Sequence, residues 1–230
     1  MRRPLDTPRT WSNKELRKVA GLLPRPRRVI NVSGWKDADK EGSTYRAYFN
    51  PSEAYDISNY EADAARGGPG SVALDLGEPA PPHLVGRYDV AFSHTVLEHV
   101  PDPWFAFAQI AKLTSDLIVT VVPFKQKLHF ETGMYGDYYR FTPFAMRRMH
   151  EANGFTLLYE SFTPRPSLDV YLLHVGTKAP DRHGDFPRSV PDLAALNEKV
   201  GEFSAKDLLE NVVDRFLAKY VRREKDWRDL

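Results

Sequence analysis

The sequence predicts an α/β fold, a three-layer sandwich around a mostly parallel sheet, from a strand–helix–strand unit near the middle of the chain. Residues 88–93 form an apolar run that is too short for a helix and is typical of a buried strand. Asp102 and Pro103 then begin a helix with an apolar face. A second apolar run follows at residues 117–122, and Pro123 is expected to end it. This order implies parallel strands joined by a right-handed crossover.

Further elements extend this unit in both directions. The other strands, in chain order, are predicted at residues 28–32, 54–57, 71–76, 155–162 and 169–177. A helix is predicted from Thr142 to Asn153, with Gly154 directly after its end. The last two strands are expected to form an antiparallel hairpin. Before all of these, Ser12 and Glu15 form a capping-box pattern that predicts a short helix ending near Gly21.

The chain is expected to have three parts. Residues 1–26 hold the amino-terminal helix and a linker, and residues 27–178 form the α/β domain. Residues 179–230 form a polar linker and a carboxyl-terminal helical extension with an apolar stripe. An amphipathic helix there could pack on the domain or pair with a second copy as a homodimer.

The composition excludes several classes of function. The 32 Lys and Arg residues balance 31 Asp and Glu residues, so no bulk charge favours a nucleic acid or an anionic membrane as partner. The absence of cysteine excludes disulfides, thiol nucleophiles and thiolate metal sites. No apolar run approaches the roughly 18 residues of a membrane-spanning helix, and no signal-peptide core is present. We therefore expect a cytoplasmic protein that acts on a small molecule. His129 and Glu131 lack further ligands, so no metal site is expected.

Polar residues collect where the predicted parallel strands end, and ligands bind at these ends in open sheets of this kind. The candidate cofactor-binding residues there are Asn31, Ser33, Gly34, Trp35, Asp56, Asp75 and His94. A carboxylate at the end of the second strand can accept both hydrogen bonds of a ribose diol, which favours Asp56. The alternative is that Asp56 is only a turn residue at a strand end.

Two segments resemble the class I S-adenosylmethionine-dependent methyltransferases. Residues 88–90, Tyr-Asp-Val, and residues 97–100, Leu-Glu-His-Val, look like that family's fourth strand and the turn after it. Residues 136–143, Gly-Asp-Tyr-Tyr-Arg-Phe-Thr-Pro, look like the segment after its fifth strand. The resemblance covers residues 27–176 and implies a Rossmann-like sandwich with a seven-stranded, mostly parallel sheet whose last strand is antiparallel. It also implies S-adenosylmethionine as the cofactor.

The resemblance implies methyl transfer to a small polar acceptor, for which a hydroxyl of a sugar or secondary metabolite is our first expectation. Such an acceptor must lose a proton, and a histidine with a pKa near neutrality is suited to accept it. The catalytic candidates are His94, His129 and Asp137, and the substrate-binding candidates are Tyr135, Tyr138, Tyr139 and Arg140. Arg140 could instead pair with Asp137 to hold the segment. His99 is the third histidine considered as the base, and the favoured alternative for it is a hydrogen bond to local backbone.

The turn after the first strand departs from the family pattern. The family has several glycines there, whereas this chain has only Gly34. A residue with a Cβ narrows the approach to a ligand and resists positive φ. The alternative function is therefore a non-catalytic methyltransferase-like protein that serves as a binding or assembly partner. A dehydrogenase is disfavoured because no G-x-G-x-x-G follows the first strand.

Overall fold

A computed structural model describes residues 7–24, 27–60, 71–164, 169–192 and 196 of the chain. The helices are α1 (Pro8–Leu22), α2 (Tyr45–Tyr48), α3 (Pro103–Leu113) and α4 (Pro143–Ala152). The strands are β1 (Arg28–Val32), β2 (Ala54–Asn59), β3 (Ser71–Ala73), β4 (Tyr88–His94), β5 (Thr114–Lys125), β6 (Thr156–Phe162) and β7 (Val170–Thr177). Short 3₁₀ turns span Pro82–Leu84, Leu97–His99 and Pro180–His183.

The seven strands form one sheet in the order β3-β2-β1-β4-β5-β7-β6. The pairs from β3 to β5 are parallel, and β7 is antiparallel to both β5 and β6. This confirms the predicted sheet and its closing hairpin. We call the edge where β1, β2, β4 and β5 end, and where β7 begins, the ligand edge.

Helices cover both faces of the sheet. On one face, Phe107 and Ile110 of α3 and Met146 of α4 are buried against the sheet. On the other face, Leu16 of α1 and Tyr45 of α2 are buried in a second cluster. Burying such side chains is the main driving force of folding, at about 25 cal/mol per Å² of apolar surface. The predicted three-layer architecture is therefore confirmed.

Several strand bounds differ from the prediction. Strand β3 ends at Ala73 and not at Leu76, and β5 begins at Thr114 and not at Leu117. Two strands also extend beyond their predicted ends. Strand β2 continues past Ile57 to Asn59 because its last three residues pair with β3. Strand β5 continues through Pro123 to Lys125, and its register with β7 shifts between these two residues. A proline has no N–H to donate, so it is tolerated in a strand where the ladder is irregular. Pairing with β7 therefore extends β5 beyond the proline that was expected to end it.

Helix α1 begins earlier than predicted. Its cap is Thr7, whose hydroxyl accepts a hydrogen bond from the Thr10 amide at 3.1 Å. Pro8 occupies the first position, where its fixed φ suits a helix start. Ser12 is therefore not the cap, and its hydroxyl lies buried within the helix.

The segment after Pro180 was expected to be a polar linker, but its described part packs on the domain. Ser189 donates its amide to Leu158 and accepts from the Glu160 amide, which adds a short bridge beside β6. Phe186 is buried with the α1 face of the sheet. The helix predicted at residues 193–217 lies outside the described residues apart from Leu196, and its pairing with a second copy stays a prediction. No helix in the described ranges has the length and apolarity needed to span a bilayer.

Candidate active site

The turn after β1 is fastened to the end of β2. The Ser33 amide donates to Ser58 Oγ at 3.1 Å, and the Gly34 amide donates to the Ser58 carbonyl at 3.1 Å. The Trp35 amide donates to Asn59 Oδ1 at 2.8 Å. Ser33 and Trp35 hold positive φ values of 52° and 49° in this turn. Three successive amides at the ligand edge are therefore bonded within the protein.

Gly34 is required by this packing. A Cβ on Gly34 would lie 2.5 Å from Asn31 Nδ2 and 2.8 Å from a methyl group of Ile57, and Cβ atoms essentially never come that close to other atoms. Asn31 in turn donates to the Asp37 carboxylate at 2.8 Å. Groups of the protein itself, and not a ligand, therefore leave no room for a side chain at position 34. Asn31 and Gly34 shape the turn.

Asp56 does not lie at the end of its strand. Because β2 continues to Asn59, Asp56 is inside the strand and its carboxylate accepts from the Tyr88 hydroxyl at 2.8 Å. Tyr88 is the first residue of β4, at the opposite end of that strand from the ligand edge. Asp56 therefore does not lie at the ligand edge, where the sequence analysis had placed it to contact a ribose. Asn59 takes the strand-end position, where its side chain holds Trp35 through both of its polar atoms.

Two of the predicted cofactor residues remain accessible at the ligand edge. The indole of Trp35 is 50% exposed after β1. Asp75 follows β3 and accepts the Gly77 amide at 2.7 Å. An exposed indole can stack on a purine, and a carboxylate can accept hydrogen bonds from its amino group. Both residue types suit an adenosyl group. The backbone amides of residues 33–35 cannot donate to it, because they donate to β2.

His94 is buried beneath α1, and both of its ring nitrogens have partners. Arg9 Nη1 donates to His94 Nδ1 at 2.8 Å, so this nitrogen carries no proton. His94 Nε2 lies 2.9 Å from Ser12 Oγ, which itself donates to the Arg9 carbonyl at 3.0 Å. Burial, aided by the charge of Arg9, holds the pKa of His94 well below its usual value. His94 is therefore neutral and has no free nitrogen to accept a proton from a substrate.

Asp137 and Arg140 hold the long segment between β5 and α4. The Asp137 carboxylate accepts from Arg140 Nη2 at 2.7 Å and from the His129 amide at 2.6 Å. The hydrogen bond from Arg140 lowers the pKa of Asp137. Arg140 also donates to the carbonyls of Gln126 and Lys127. Of the two roles considered for Arg140, the structure shows the pairing that holds the segment.

The same segment is tied to the turn after β4. The Tyr138 amide donates to the Glu98 carbonyl at 2.7 Å, and the Tyr139 hydroxyl donates to the Pro101 carbonyl at 2.8 Å. His99 Nδ1 lies 2.6 Å from the Gly136 carbonyl, which can only accept. The proton of His99 is therefore on Nδ1, and its Nε2 carries the lone pair.

His99 lines a pocket of about 530 Å³ whose other walls are residues 130–136 and 138. Phe130, Met134 and Tyr138 give this pocket an apolar lining and are 57%, 60% and 56% exposed. The ring of Tyr135 lies 4.7 Å from that of His99, and its hydroxyl is 3.2 Å from His129 Nε2. Burial lowers the pKa of His99, so the ring is neutral at pH 7. The structure thus brings together Tyr135, Tyr138 and His129 around His99, which the sequence analysis favoured least of the three histidines.

Glu98 is 2% exposed, and its Oε2 has no hydrogen-bond partner among the described residues. Burial raises the pKa of Glu98 to about 8. The folded protein therefore keeps a proton that the unfolded chain releases above its ordinary pKa of 4.5. Stability from this group is complete below that pKa and is lost as the pH rises toward 8.

We expect Glu98→Gln to stabilise the protein at alkaline pH, because glutamine stays neutral. In urea unfolding, the gain over the wild type should grow by about 1.4 kcal/mol per pH unit between pH 5 and 8. The two proteins should have the same free energy of unfolding near pH 4.5. A difference that does not vary with pH would contradict this interpretation.

The part of the chain that the structure describes holds no group of three or more histidine, aspartate or glutamate side chains able to bind a metal ion.

No family model and no curated protein matches this chain, whereas many solved structures do. Burkholderia thailandensis 1,6-didemethyltoxoflavin-N1-methyltransferase, solved with 1,6-didemethyltoxoflavin and S-adenosylhomocysteine, is 21% identical at a TM-score of 0.51. That similarity covers 77% of this chain and 93% of the other. Synechocystis magnesium protoporphyrin IX methyltransferase with bound S-adenosylmethionine is 14% identical at a TM-score of 0.51, over 74% and 79% of the two chains.

A Mesorhizobium loti S-adenosylmethionine-dependent methyltransferase is 14% identical at a TM-score of 0.52, and the similarity covers 71% of this chain and 96% of the other. At such identities the similarity concerns the fold. The strand order, the two helical layers and the closing antiparallel hairpin agree with it. The chain therefore has the fold of the class I S-adenosylmethionine-dependent methyltransferases.

Proposed function

We propose that this protein transfers a methyl group from S-adenosylmethionine to a small-molecule acceptor bound beside His99. The observation that carries the proposal is the pocket next to His99, with its apolar walls and its neutral imidazole. The pocket adjoins the turn after β4, at the edge of the sheet where this fold binds ligands. The solved neighbours with bound S-adenosylmethionine or S-adenosylhomocysteine support this choice of cofactor.

The cofactor, when bound, supplies a methyl group on a sulfonium, which an aligned nucleophile can displace. Trp35 would stack on the adenine, and Asp75 would accept a hydrogen bond from its amino group. Methyl transfer of this kind depends mainly on positioning and on excluding water. The segment between β5 and α4 serves both needs, because Asp137 and Arg140 hold it and Tyr138 closes it against Glu98.

His99 accepts the proton of the acceptor. Its Nδ1–H bond to Gly136 fixes the ring, and its Nε2 lies 3.8 Å from Glu98 Oε1. Nε2 is the ring nitrogen that carries the lone pair, so it is the atom that takes the proton. General-base catalysis of this type contributes about 10²- to 10⁴-fold. His129, which contacts Tyr135, is the second candidate for this role.

The pocket walls favour an acceptor with an apolar face and a polar reacting group. Tyr135 and Tyr138 present aromatic rings that can stack on a sugar or an aromatic ring. Polar side chains of the pocket lining include His99, Glu131 and Thr132, and His129 lies beside Tyr135. These groups suit a hydroxyl or an amine. A hydroxylated small molecule remains our proposed acceptor class.

Isothermal calorimetry with ligand-free protein tests the proposal. We expect S-adenosylmethionine and S-adenosylhomocysteine to bind in the micromolar range, about −8 kcal/mol. A screen of hydroxylated acceptors with labelled cofactor should then detect methyl transfer. Folded protein that binds neither ligand would contradict the proposal.

The second candidate is a non-catalytic protein that kept the sheet and serves as a binding or assembly partner. The specific observation in its favour is that Ser33, Gly34 and Trp35 already donate their amides to β2. The calorimetry separates the two candidates, because only a methyltransferase needs cofactor affinity.

A further inference from the structure

Arg9 is a half-buried cation at the ligand edge whose partners are all neutral. Its guanidinium donates to His94 Nδ1 at 2.8 Å, to the Tyr45 hydroxyl at 3.0 Å and to Thr95 Oγ1 at 3.3 Å. Among the residues that the structure describes, no carboxylate lies within ion-pair distance of Arg9. Arginine side chains that lose contact with water are usually paired with an anion.

The guanidinium keeps donors for a further partner. It has five N–H groups, and the two on Nη1 bond to Tyr45 and His94 while one on Nη2 bonds to Thr95. The Nε–H and the other Nη2–H have no partner among the described residues. Two donors of one guanidinium match the two oxygens of a carboxylate.

The surroundings of Arg9 leave its charge uncompensated. Glu98 is close enough to interact with it electrostatically, but burial raises the pKa of Glu98 to about 8, so this carboxyl is mostly protonated at pH 7. His94 is neutral. Lys40 is a second cation nearby, and burial together with the charge of Arg9 lowers its pKa. Asp37 and Asp39 act on Tyr45 electrostatically, but their carboxylates bond to other groups, Asp37 to Asn31 and Asp39 to Arg17. Arg9 therefore has no anion in direct contact among the described residues, and a ligand anion can take its two remaining donors.

We infer that Arg9 binds a ligand carboxylate at the ligand edge. The backbone amides after β1 cannot bind it, because they already donate to β2. Resting on the proposed function, we take the methionyl carboxylate of S-adenosylmethionine as the first source of this group. A carboxylate on the acceptor is the second source. His94, Tyr45 and Ser12 then act as positioning residues, because they fix the guanidinium of Arg9.

A comparison of two ligands in calorimetry tests the inference. S-adenosylhomocysteine has the carboxylate, whereas 5′-methylthioadenosine keeps the adenosine and the thioether but lacks it. We expect Arg9→Met to weaken S-adenosylhomocysteine about 10- to 100-fold and to leave methylthioadenosine unchanged. The matched control is Arg17→Met on the same helix, because Arg17 bonds to Asp39 and Tyr48 outside the site. This control should keep the affinity for both ligands.

Equal losses for both ligands would overturn the inference, because they would show that Arg9 only docks α1. The side-chain Nε–H signal of Arg9 in a ¹⁵N spectrum, identified by its loss in Arg9→Met, distinguishes the sources. A shift with S-adenosylhomocysteine but not with methylthioadenosine supports the cofactor as source, and a shift with benzoate alone supports an acceptor carboxylate.

An unchanged Nε–H signal with both carboxylates overturns the inference. Benzoate does not need a cofactor site. Its effect on the Nε–H signal therefore tests Arg9 even if the protein binds neither adenosyl ligand and the proposed function is wrong.

Discussion

Replacing His99 by glutamine is expected to lower kcat about 100-fold or more while the affinity for S-adenosylhomocysteine stays within about twofold. Glutamine can still donate a hydrogen bond to the Gly136 carbonyl, as His99 does at 2.6 Å, but it cannot accept a proton. Steady-state rates with an acceptor from the screen, together with calorimetry, measure the two effects separately. A large loss of cofactor affinity would mean that His99 supports the cofactor site instead.

The pH profile separates a base from a merely structural residue. Burial lowers the pKa of His99 below its ordinary 6.5, so the wild-type rate should fall only on the acid side of that value. The glutamine variant should lack this fall. His129→Gln is the control, because its ring also lies near Tyr135 but is outside the turn after β4. If His129→Gln removes the acid fall and His99→Gln keeps it, the base is His129.

Replacing Arg147 by methionine is expected to lower the free energy of unfolding by about 3 to 5 kcal/mol at pH 7. Arg147 donates to both oxygens of Glu160, at 2.8 and 3.0 Å, and the Glu160 side chain is fully buried. Removing the arginine leaves a buried carboxylate beside His174, whose Nε2 lies 3.3 Å away. Urea unfolding measures the loss. Arg148→Met is the matched control, because the neighbouring Arg148–Glu151 pair is exposed and contributes at most about 1 kcal/mol.

The pH dependence of that loss identifies its cause. His174 and Arg147 overcome the effect of burial and hold the pKa of Glu160 at about 2, below its ordinary 4.5. The stability from this carboxylate is complete above pH 4.5 and is lost as the pH falls toward 2. Without Arg147 the carboxyl can take up a proton earlier, so the difference between the two proteins should shrink below pH 5. A loss of equal size at pH 7 and pH 4 would indicate packing instead of charge.

Local signals predicted the centre of the fold well. The strand at residues 88–93, the helix beginning at Pro103 and the cap at Thr142 each depend on a few neighbouring residues, and the structure has all three. The predicted strand ends are wrong where pairing with a strand that is distant in sequence determines the length of the strand. Strand β5 passes through Pro123 because β7 lies beside it, and β2 reaches Asn59 because β3 does. Nothing in the nearby sequence indicates either neighbour.

The prediction of the candidate site was limited in the same way, because it also depends on contacts between residues that are distant in sequence. Ending β2 at Ile57 placed Asp56 at the ligand edge, whereas two further residues put Asn59 there. His94 is the last residue of β4, and His99 lies in the turn that follows it. Their different surroundings come from Arg9 and Gly136, which are 85 and 37 residues away. Sequence spacing cannot reveal contacts of that range, so it could not tell which histidine faces the pocket.

Helix α1 carries Arg9 to the ligand edge, and it packs on strands that are among the last parts of the domain in the sequence. Lys18 donates to the Tyr159 hydroxyl across 141 residues of sequence, and that hydroxyl donates to Glu15 across 144. During synthesis α1 leaves the ribosome well before β6 and β7, on which it packs. Arg9 therefore reaches His94 only after nearly the whole domain is available. A nascent or partly folded chain would lack the cation at this edge, so anionic ligand would be captured only by finished molecules.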